Sequence, residues 1–369
     1  MLISPTLYNF KGYPQNTLFS TYLNLSRQQL QNKKAMGFDS FSFQNSQRIN
    51  FAGTRTATAS LLDKFRVPYG AMRRNPERDR QFREYLKRAD YPQRLVALLR
   101  GLPRRDQQLV KTIIERLTTR KPFFYTPQER ALIARMRTFR AAQTDPLRAG
   151  GYRFKERIDY EAPIFIEKMG LGAVKNPGYF KHKDILDVGA YRGDSALVLS
   201  EYTTGHVHCF EPDPRNGKRL EENIALNRKK GKIIPVQLGL SDRAETIPLL
   251  VDPLRPTTSS CTAEGSCHSS ILKTKKTIRT VKLDDYVKKH GLNVGLIKID
   301  VEGFEQNVLR GAKETLERDK PVLLVSIYHN VRDFFEIKPQ LEAFGYTHFR
   351  IVKTDYGSPI AETMLICEP

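Results

Sequence analysis

One nine-residue stretch constrains this chain more than any other: Asp187-Val-Gly189-Ala190-Tyr-Arg-Gly193-Asp194-Ser195. It follows a short apolar run, Ile185–Val188, and leads into a run with helical spacing, Ser195–Glu201. A buried strand, a glycine-containing turn and a helix form the opening unit of many nucleotide-binding α/β domains. Glycine in the turn lets a ligand approach the backbone closely. The same rhythm continues downstream. Short β-rich runs at His206–Phe210, Ile233–Leu238, Leu296–Ile299 and Val322–Ile327 alternate with helical stretches such as Pro214–Asn227. This alternation predicts a parallel, doubly wound sheet. Two late runs, Tyr346–Val352 and Thr363–Cys367, have no helical pattern between them and predict a final antiparallel hairpin. Residues 252–276 are rich in Pro, Ser, Thr and Gly and read as one long loop between the runs Thr246–Val251 and Thr277–Lys282. Loops of that length are often functional.

The chemistry sits at the ends of these strands. Glu211 closes the run His206–Phe210, where a carboxylate can accept hydrogen bonds from a ribose diol. The turn itself lacks the GxGxxG spacing and places Asp187 and Asp194 at the site. Those carboxylates would oppose an anionic pyrophosphate. They favour S-adenosylmethionine, which brings an ammonium and a sulfonium. The alternative is that Asp187 and Asp194 only cap the turn and the helix after it. A second acidic strand end follows in Gly295-Leu-Ile-Lys298-Ile-Asp300-Val-Glu302-Gly303-Phe-Glu305. Ligands of open α/β sheets sit beyond the carboxyl ends of the strands, so Asp300 and Glu302 are placed to orient a hydroxyl or take its proton. The same acids also suit a helix N-terminus. His329 follows the run Val322–Ile327, and an ordinary imidazole pKa would let it act as a base at neutral pH. A satisfied structural histidine is the alternative of equal weight.

At this level of detail the chain resembles a known family. The strings DVGAYRGDS, FEPDP, LDDY and KIDVEGFEQNVLRGA occur in the order and spacing of the FkbM family of S-adenosylmethionine-dependent methyltransferases, over roughly residues 160–369. The resemblance implies a class I methyltransferase fold, Rossmann-like with a seven-stranded sheet. It also implies O-methylation of a sugar, glycan or small-molecule hydroxyl. Carried onto this chain, the donor site comprises Asp187, Gly189, Ala190, Gly193 and Asp194, with Glu211 on the ribose and Ser241 and Asp242 near the adenine. The catalytic candidates are Asp300, Glu302 and His329. One departure leaves the acceptor-side acid–base group open: many members carry a Glu-His-type pair where this chain reads Ser326-Ile-Tyr328-His329-Asn330. No metal is expected, because Cys261, Cys267 and His268 do not match the spacing of a zinc module.

Charge separates the rest of the chain from this domain. The net charge is +21, and residues 1–150 carry 28 Lys and Arg against 10 Asp and Glu. The segment Arg73–Arg148 holds 17 arginines yet has helical order. Asn75-Pro76 reads as an N-cap followed by N1. Asp106 is placed to cap a helix whose stripe is Leu109, Val110, Ile113, Ile114 and Leu117. Thr126-Pro-Gln-Glu129 reads as a capping box that opens a helix with Leu132, Ile133 and Met136 inward. The expected organisation is a disordered polar leader over 1–58, a basic helical subdomain over 59–150 and the methyltransferase domain over 151–369. The arginines lack an aromatic platform and a nucleic-acid motif, so nucleic acid is not an expected partner. A cofactor-binding or anion-binding module without catalysis is the competing reading. A nucleic-acid methyltransferase ranks below it, since no Asn/Asp-Pro-Pro-Tyr type of string is present. No apolar run approaches the ~20 residues of a membrane helix. The N-terminus lacks the basic start and apolar stretch of a secretory signal, and the four cysteines include no CxxC pair. A reducing cytoplasm is the expected setting.

Overall fold

The computed structural model describes residues 75–119, 125–157, 162–251 and 274–369. The polar leader, the loop residues 252–273 and with them Cys261, Cys267 and His268 lie outside the described residues. The described residues within 75–119 and 127–369 form one compact unit.

Its centre is a seven-stranded sheet. The strands are β1 (Asp184–Val188), β2 (Val207–Phe210), β3 (Ile233–Val236), β4 (Val294–Ile299), β5 (Val322–Ser326), β6 (His348–Lys353) and β7 (Thr363–Glu368). They lie in the order β6-β7-β5-β4-β1-β2-β3. The five strands β3 to β5 in that row pair in parallel. The four residues of β2, all six of β4 and all five of β5 are buried. That is why they read as continuous apolar runs rather than alternating ones. The chain builds outward from β1 to β3, returns to the centre and builds the other half from β4. The strand order therefore reverses between β1 and β4, the place where open α/β sheets bind ligands. The fold is the Rossmann-like α/β architecture of class I methyltransferases. β6 and β7 form the expected antiparallel pair, and β7 also inserts between β6 and β5, pairing antiparallel with both. The runs on either side of the long loop are strands of a separate three-stranded sheet, Gly239–Leu240, Glu245–Val251 and Thr274–Val281.

Among the described residues, four helices precede the sheet: α1 (Pro76–Tyr85), α2 (Tyr91–Leu99), α3 (Arg104–Thr118) and α4 (Pro127–Ala142). Within the sheet domain follow α5 (Asp194–Leu199), α6 (Pro214–Leu226), α7 (Leu283–His290), α8 (Glu305–Arg310), α9 (Lys313–Asp319) and α10 (Val331–Ala343). Asn75 caps α1, its side-chain oxygen accepting from Arg78 N at 3.0 Å, with Pro76 at N1. Asp106 does not cap α3. Pro103 holds that position, and Asp106 sits buried in the first turn, accepting from Ile351 N (3.0 Å) and Arg350 (2.7 Å) on β6. A carboxylate in that turn tied to a strand costs the cap but fixes α3 on the sheet.

The apolar faces of α1 to α3 join the core beside α10. Phe82 meets Phe334 edge-on at 5.5 Å, and Tyr85 stacks on Phe335 at 4.7 Å between ring centroids. Contacts of this kind add about 0.5–1.5 kcal/mol each beyond area burial. Two of the arginines have acidic partners on α10: Arg94 pairs with Glu336 at 2.9 Å and Arg100 with Glu342 at 2.8 Å. Arg116 is buried against Glu129 of α4.

Candidate active site

The site forms where β1 and β4 lie side by side. Their ends are joined by the backbone, Asp300 N donating to Val188 O at 3.0 Å. Gly189 follows β1 with φ +81°, and a Cβ there would lie 1.9 Å from the carbonyl oxygen of Asp300. Only glycine allows that approach. Gly189 N and Ala190 N both donate to Phe210 O at the end of β2. Three strand ends thus fix one turn.

Beneath the turn is a buried set of charges. Asp187 is fully buried; its Oδ2 accepts from Ser195 Oγ at 2.6 Å, and its Oδ1 lies 3.1 Å from Lys298 Nζ. Lys298, also buried, donates to the carbonyl of Gly189 at 2.8 Å. Burial pushes the Asp194 carboxyl up to about 6, with Asp187 adding to the effect and Lys298 opposing it. Glu211 accepts from Tyr191 N at 3.0 Å through Oε2 and from Asp213 N at 2.9 Å through Oε1. Burial still pushes it up to about 7. Asp187 and Asp194 therefore share one buried ammonium, and Glu211 is a third buried carboxyl at the same turn. A ligand that brings positive charge and hydroxyl donors fits this surplus of acceptors; an anionic one does not. Ser241 and Asp242 have other partners. Arg310 pairs with Asp242 at 3.1 Å, and the carbonyl of Ser241 abuts Gly311, where a Cβ would approach to 2.0 Å. They lie against the C-terminal end of α8.

On the other side of the switch point a second group converges. Glu302 adopts φ +54°, a conformation that non-glycine residues seldom hold, and Gly303 follows at φ +97°. The side chains of Asp300 and Glu302 remain 28% exposed. His329 is buried at the end of β5. Its Nδ1 hydrogen-bonds Glu305 Oε1 at 2.7 Å, and its Nε2 lies 3.4 Å from Asp300 and 3.6 Å from Glu302. Glu305 is fully buried and also accepts from Val301 N at 2.9 Å. Burial opposes a charged ring, but Glu305, Glu302 and Asp300 outweigh it and hold the imidazole well above its ordinary pKa. The ordinary value expected from the sequence does not apply in this setting: the surrounding carboxylates favour the protonated ring. Burial raises the Glu305 carboxyl, and His329 more than reverses this, holding it below the usual range.

More carboxyls surround this pair. Burial, with Asp300 and Glu305 adding, pushes Glu302 up to about 7. Asp333 of α10 rises to about 8 through burial and then Glu305. It accepts from Gln306 at 3.0 Å and Asn330 at 2.5 Å. Glu362, just before β7, rises to about 8 through burial and then Asp300, and accepts from Tyr328 OH at 3.2 Å. Asp300, Glu305 and His329 each bring a donor atom within 4.8 Å of the others. The Glu305–His329 contact is a hydrogen bond, which makes Glu305 the partner that orients the ring.

The structure thus brings Asp187, Gly189, Ala190, Gly193, Asp194 and Glu211 together on one side and Asp300, Glu302 and His329 on the other. Four participants escaped the reading of the sequence. Lys298 is a lone cation inside an apolar strand, a signal that was available. Glu305 lies within the recognised string but six residues beyond β4. Asp333 and Glu362 belong to no motif and arrive through α10 and the β6–β7 connection.

Residues 187–347 match the methyltransferase FkbM domain. A hexuronic acid methyltransferase, AglP, of Haloferax volcanii is 34% identical over 36% of this chain and 52% of its own length. A 2-O-methyltransferase, NoeI, of Sinorhizobium fredii is 30% identical over 37% of this chain and 60% of its own. The chain therefore spans about half to three-fifths of these relatives. A crystal structure of a methyltransferase FkbM from Methylobacillus flagellatus superposes with a TM-score of 0.48 at 16% identity, covering 75% of this chain and 58% of that one.

Proposed function

We propose that this chain, whose residues 187–347 match the methyltransferase FkbM domain, transfers a methyl group from S-adenosylmethionine to a sugar hydroxyl. The observation that carries the reading is the pairing of two unlike sites across the β1–β4 switch point. One is a turn with surplus buried carboxylates, and the other an acidic cluster built around His329. The sugar acceptor draws on the hexuronic acid methyltransferase among the relatives.

Gly189, Ala190, Gly193 and Asp194 would line the methionine part of the donor, with Asp187 buried beneath the turn that carries them, and Glu211 would hold the ribose diol, with Ser241 and Asp242 flanking the adenine. When bound, S-adenosylmethionine supplies a methyl group already activated by its sulfonium. The protein's task is alignment and proton removal. With the donor held there, it would supply the methyl group for the new O–C bond, and its sulfur would keep the bonding pair of the C–S bond that is lost. The hydroxyl proton passes to Glu302, whose carboxyl, at about 7, is matched to neutral pH. Asp300 orients the hydroxyl. His329 keeps both carboxylates in place, and Glu305 keeps His329 in place. The buried, free Cys209 and Cys367 suit a reducing compartment, and no helix among the described residues is long and apolar enough to cross a membrane.

Two measurements test this. S-adenosylhomocysteine should raise the thermal midpoint of the purified chain, and Glu211→Ala should abolish the rise. Radiolabelled donor should then mark free or conjugated uronic acids, and Glu302→Gln should remove the label without removing the thermal shift. Label confined to nucleic acid would refute the sugar acceptor. No shift at millimolar ligand would refute the donor.

A further inference from the structure

Lys298 is the one charged residue inside β4, and both its neighbours on that strand are buried aliphatics. Burying an ammonium is costly unless every hydrogen finds a partner. Here the partners are specific. Nζ pairs with Asp187 on β1 and donates to the carbonyl of Gly189, the residue whose positive φ shapes the donor turn. Its ammonium is held above the ordinary range: burial lowers it, while Asp187, Asp300 and Asp194 more than compensate. Asp187 is accordingly not open toward a ligand, since one oxygen serves Ser195 and the other faces Lys298. The cation thus spans the switch point, rooted in the strand that ends in Asp300 and attached to the turn after β1.

We propose that Lys298 is a positioning residue that sets the donor turn against the acceptor strand, with Asp187 as its counter-charge rather than a direct ligand contact. This rests on the donor reading given above. Without the ammonium, the Gly189 carbonyl loses its donor and the turn relaxes away from β4. The donor should then bind more weakly, while the acceptor machinery, anchored independently by Glu305 and His329, keeps its composition.

The test uses the full chain and two variants. Lys298→Met alone strands a buried carboxylate and can fail to fold. The double variant Asp187→Asn/Lys298→Met removes both charges and keeps the shapes, so it separates positioning from charge burial. Titration calorimetry with S-adenosylhomocysteine should give a dissociation constant at least tenfold higher for the double variant, at a thermal midpoint near the wild type. Initial rates should show the loss mainly in the KM for the donor, with kcat at saturating donor reduced less. A double variant that binds the ligand like wild type, or one whose binding falls only in proportion to its folded fraction, overturns the proposal and makes the pair a fold staple. A double variant that does not fold also overturns it, because the pair would then be required for the core. If the wild type itself fails to bind the ligand, the donor reading falls first and this proposal with it. That outcome differs from wild-type binding with an indifferent variant.

Discussion

The two halves of the site solve opposite electrostatic problems. In the donor half, each charge has an assigned partner: Asp187 has Ser195 and Lys298, and Glu211 has the amides of Tyr191 and Asp213. In the acceptor half, Asp300, Glu302, Glu305, Asp333 and Glu362 crowd about one imidazole, and three of the five carboxyls are pushed to about 7 or 8. A half built on assigned partners holds fewer raised carboxyls, Asp194 at about 6 and Glu211 at about 7. A half with excess acid binds protons and can exchange them. That division suits a reaction in which one ligand must be held and the other deprotonated.

The sharpest way to break the contrast is at Gly189. Alanine there places a methyl group 1.9 Å from the backbone oxygen of Asp300, and the atom it meets is main chain rather than a flexible tip. Either β1 or β4 must move at its end. Gly189→Ala should cost on the order of 4 kcal/mol, among the large effects of single substitutions, and should abolish binding of S-adenosylhomocysteine. Denaturant unfolding and calorimetry would measure the two losses. A stable, ligand-competent alanine variant would mean that the turn is not rigid.

Glu305→Gln probes the other half. It leaves the shape but removes the charge that holds His329 protonated, breaking a buried pair at a cost of about 3 kcal/mol. The ring pKa should fall, visible as a shift in the titration of the His329 resonances. Ligand binding at the donor half should survive wherever the variant is folded. If the variant loses donor binding in step with its acid–base properties, the two halves are one unit.

How much of this contrast the sequence discloses follows from the distances along the chain. Asp187, Gly189 and Ser195 fall within one strand–turn–helix, so local spacing suffices to read them, and Glu211 is one strand away. The parallel order was likewise legible from the alternation of apolar runs. The acceptor half is assembled from the ends of β4 and β5, the start of α10 and the connection before β7. Nothing local marks Asp333 or Glu362 as neighbours of Glu305 and Asp300. The raised pKa of His329 is a property of that assembly, so an isolated histidine suggests an ordinary base where the fold favours the protonated ring. Similarly, Asp106 looks like a helix cap because capping is local, and its attachment to β6 is visible only in three dimensions.

The contrast also predicts how the protein responds to pH. Asp194, Glu211, Glu302, Asp333 and Glu362 have folded pKa values of about 6, 7, 7, 8 and 8. All exceed the ~4 of unfolded carboxyls. A raised carboxyl favours the folded state fully below its unfolded pKa and loses that contribution as pH rises through the folded value. The thermal midpoint of the ligand-free chain should therefore fall between pH 5 and 8, with the upper part of the fall coming from the acceptor half. Activity should move the other way, rising through about pH 7 as Glu302 ionises. Scanning calorimetry and rates at saturating donor, both across this window, would check the opposition. A midpoint that is flat from pH 5 to 8 would remove the claim of excess acid.

The smallest effect lies in the donor half and tests whether its charges really are individually satisfied. Ser195→Ala deletes the hydroxyl that donates to Asp187 at 2.6 Å and opens little space in α5. A hydrogen bond to a charged acceptor contributes about 1.5–3 kcal/mol. Because Lys298 still faces the other carboxylate oxygen, the loss should fall at the low end of that range. Donor binding should weaken only a few-fold, since the Gly189 carbonyl keeps its ammonium. The same substitution made in the Asp187→Asn/Lys298→Met background should cost less than it does alone, because the acceptor is then neutral. A double-mutant cycle reads that difference directly. Equal costs in both backgrounds would show that Ser195 acts on the helix and not on the charge, and Asp187 would then depend on Lys298 alone.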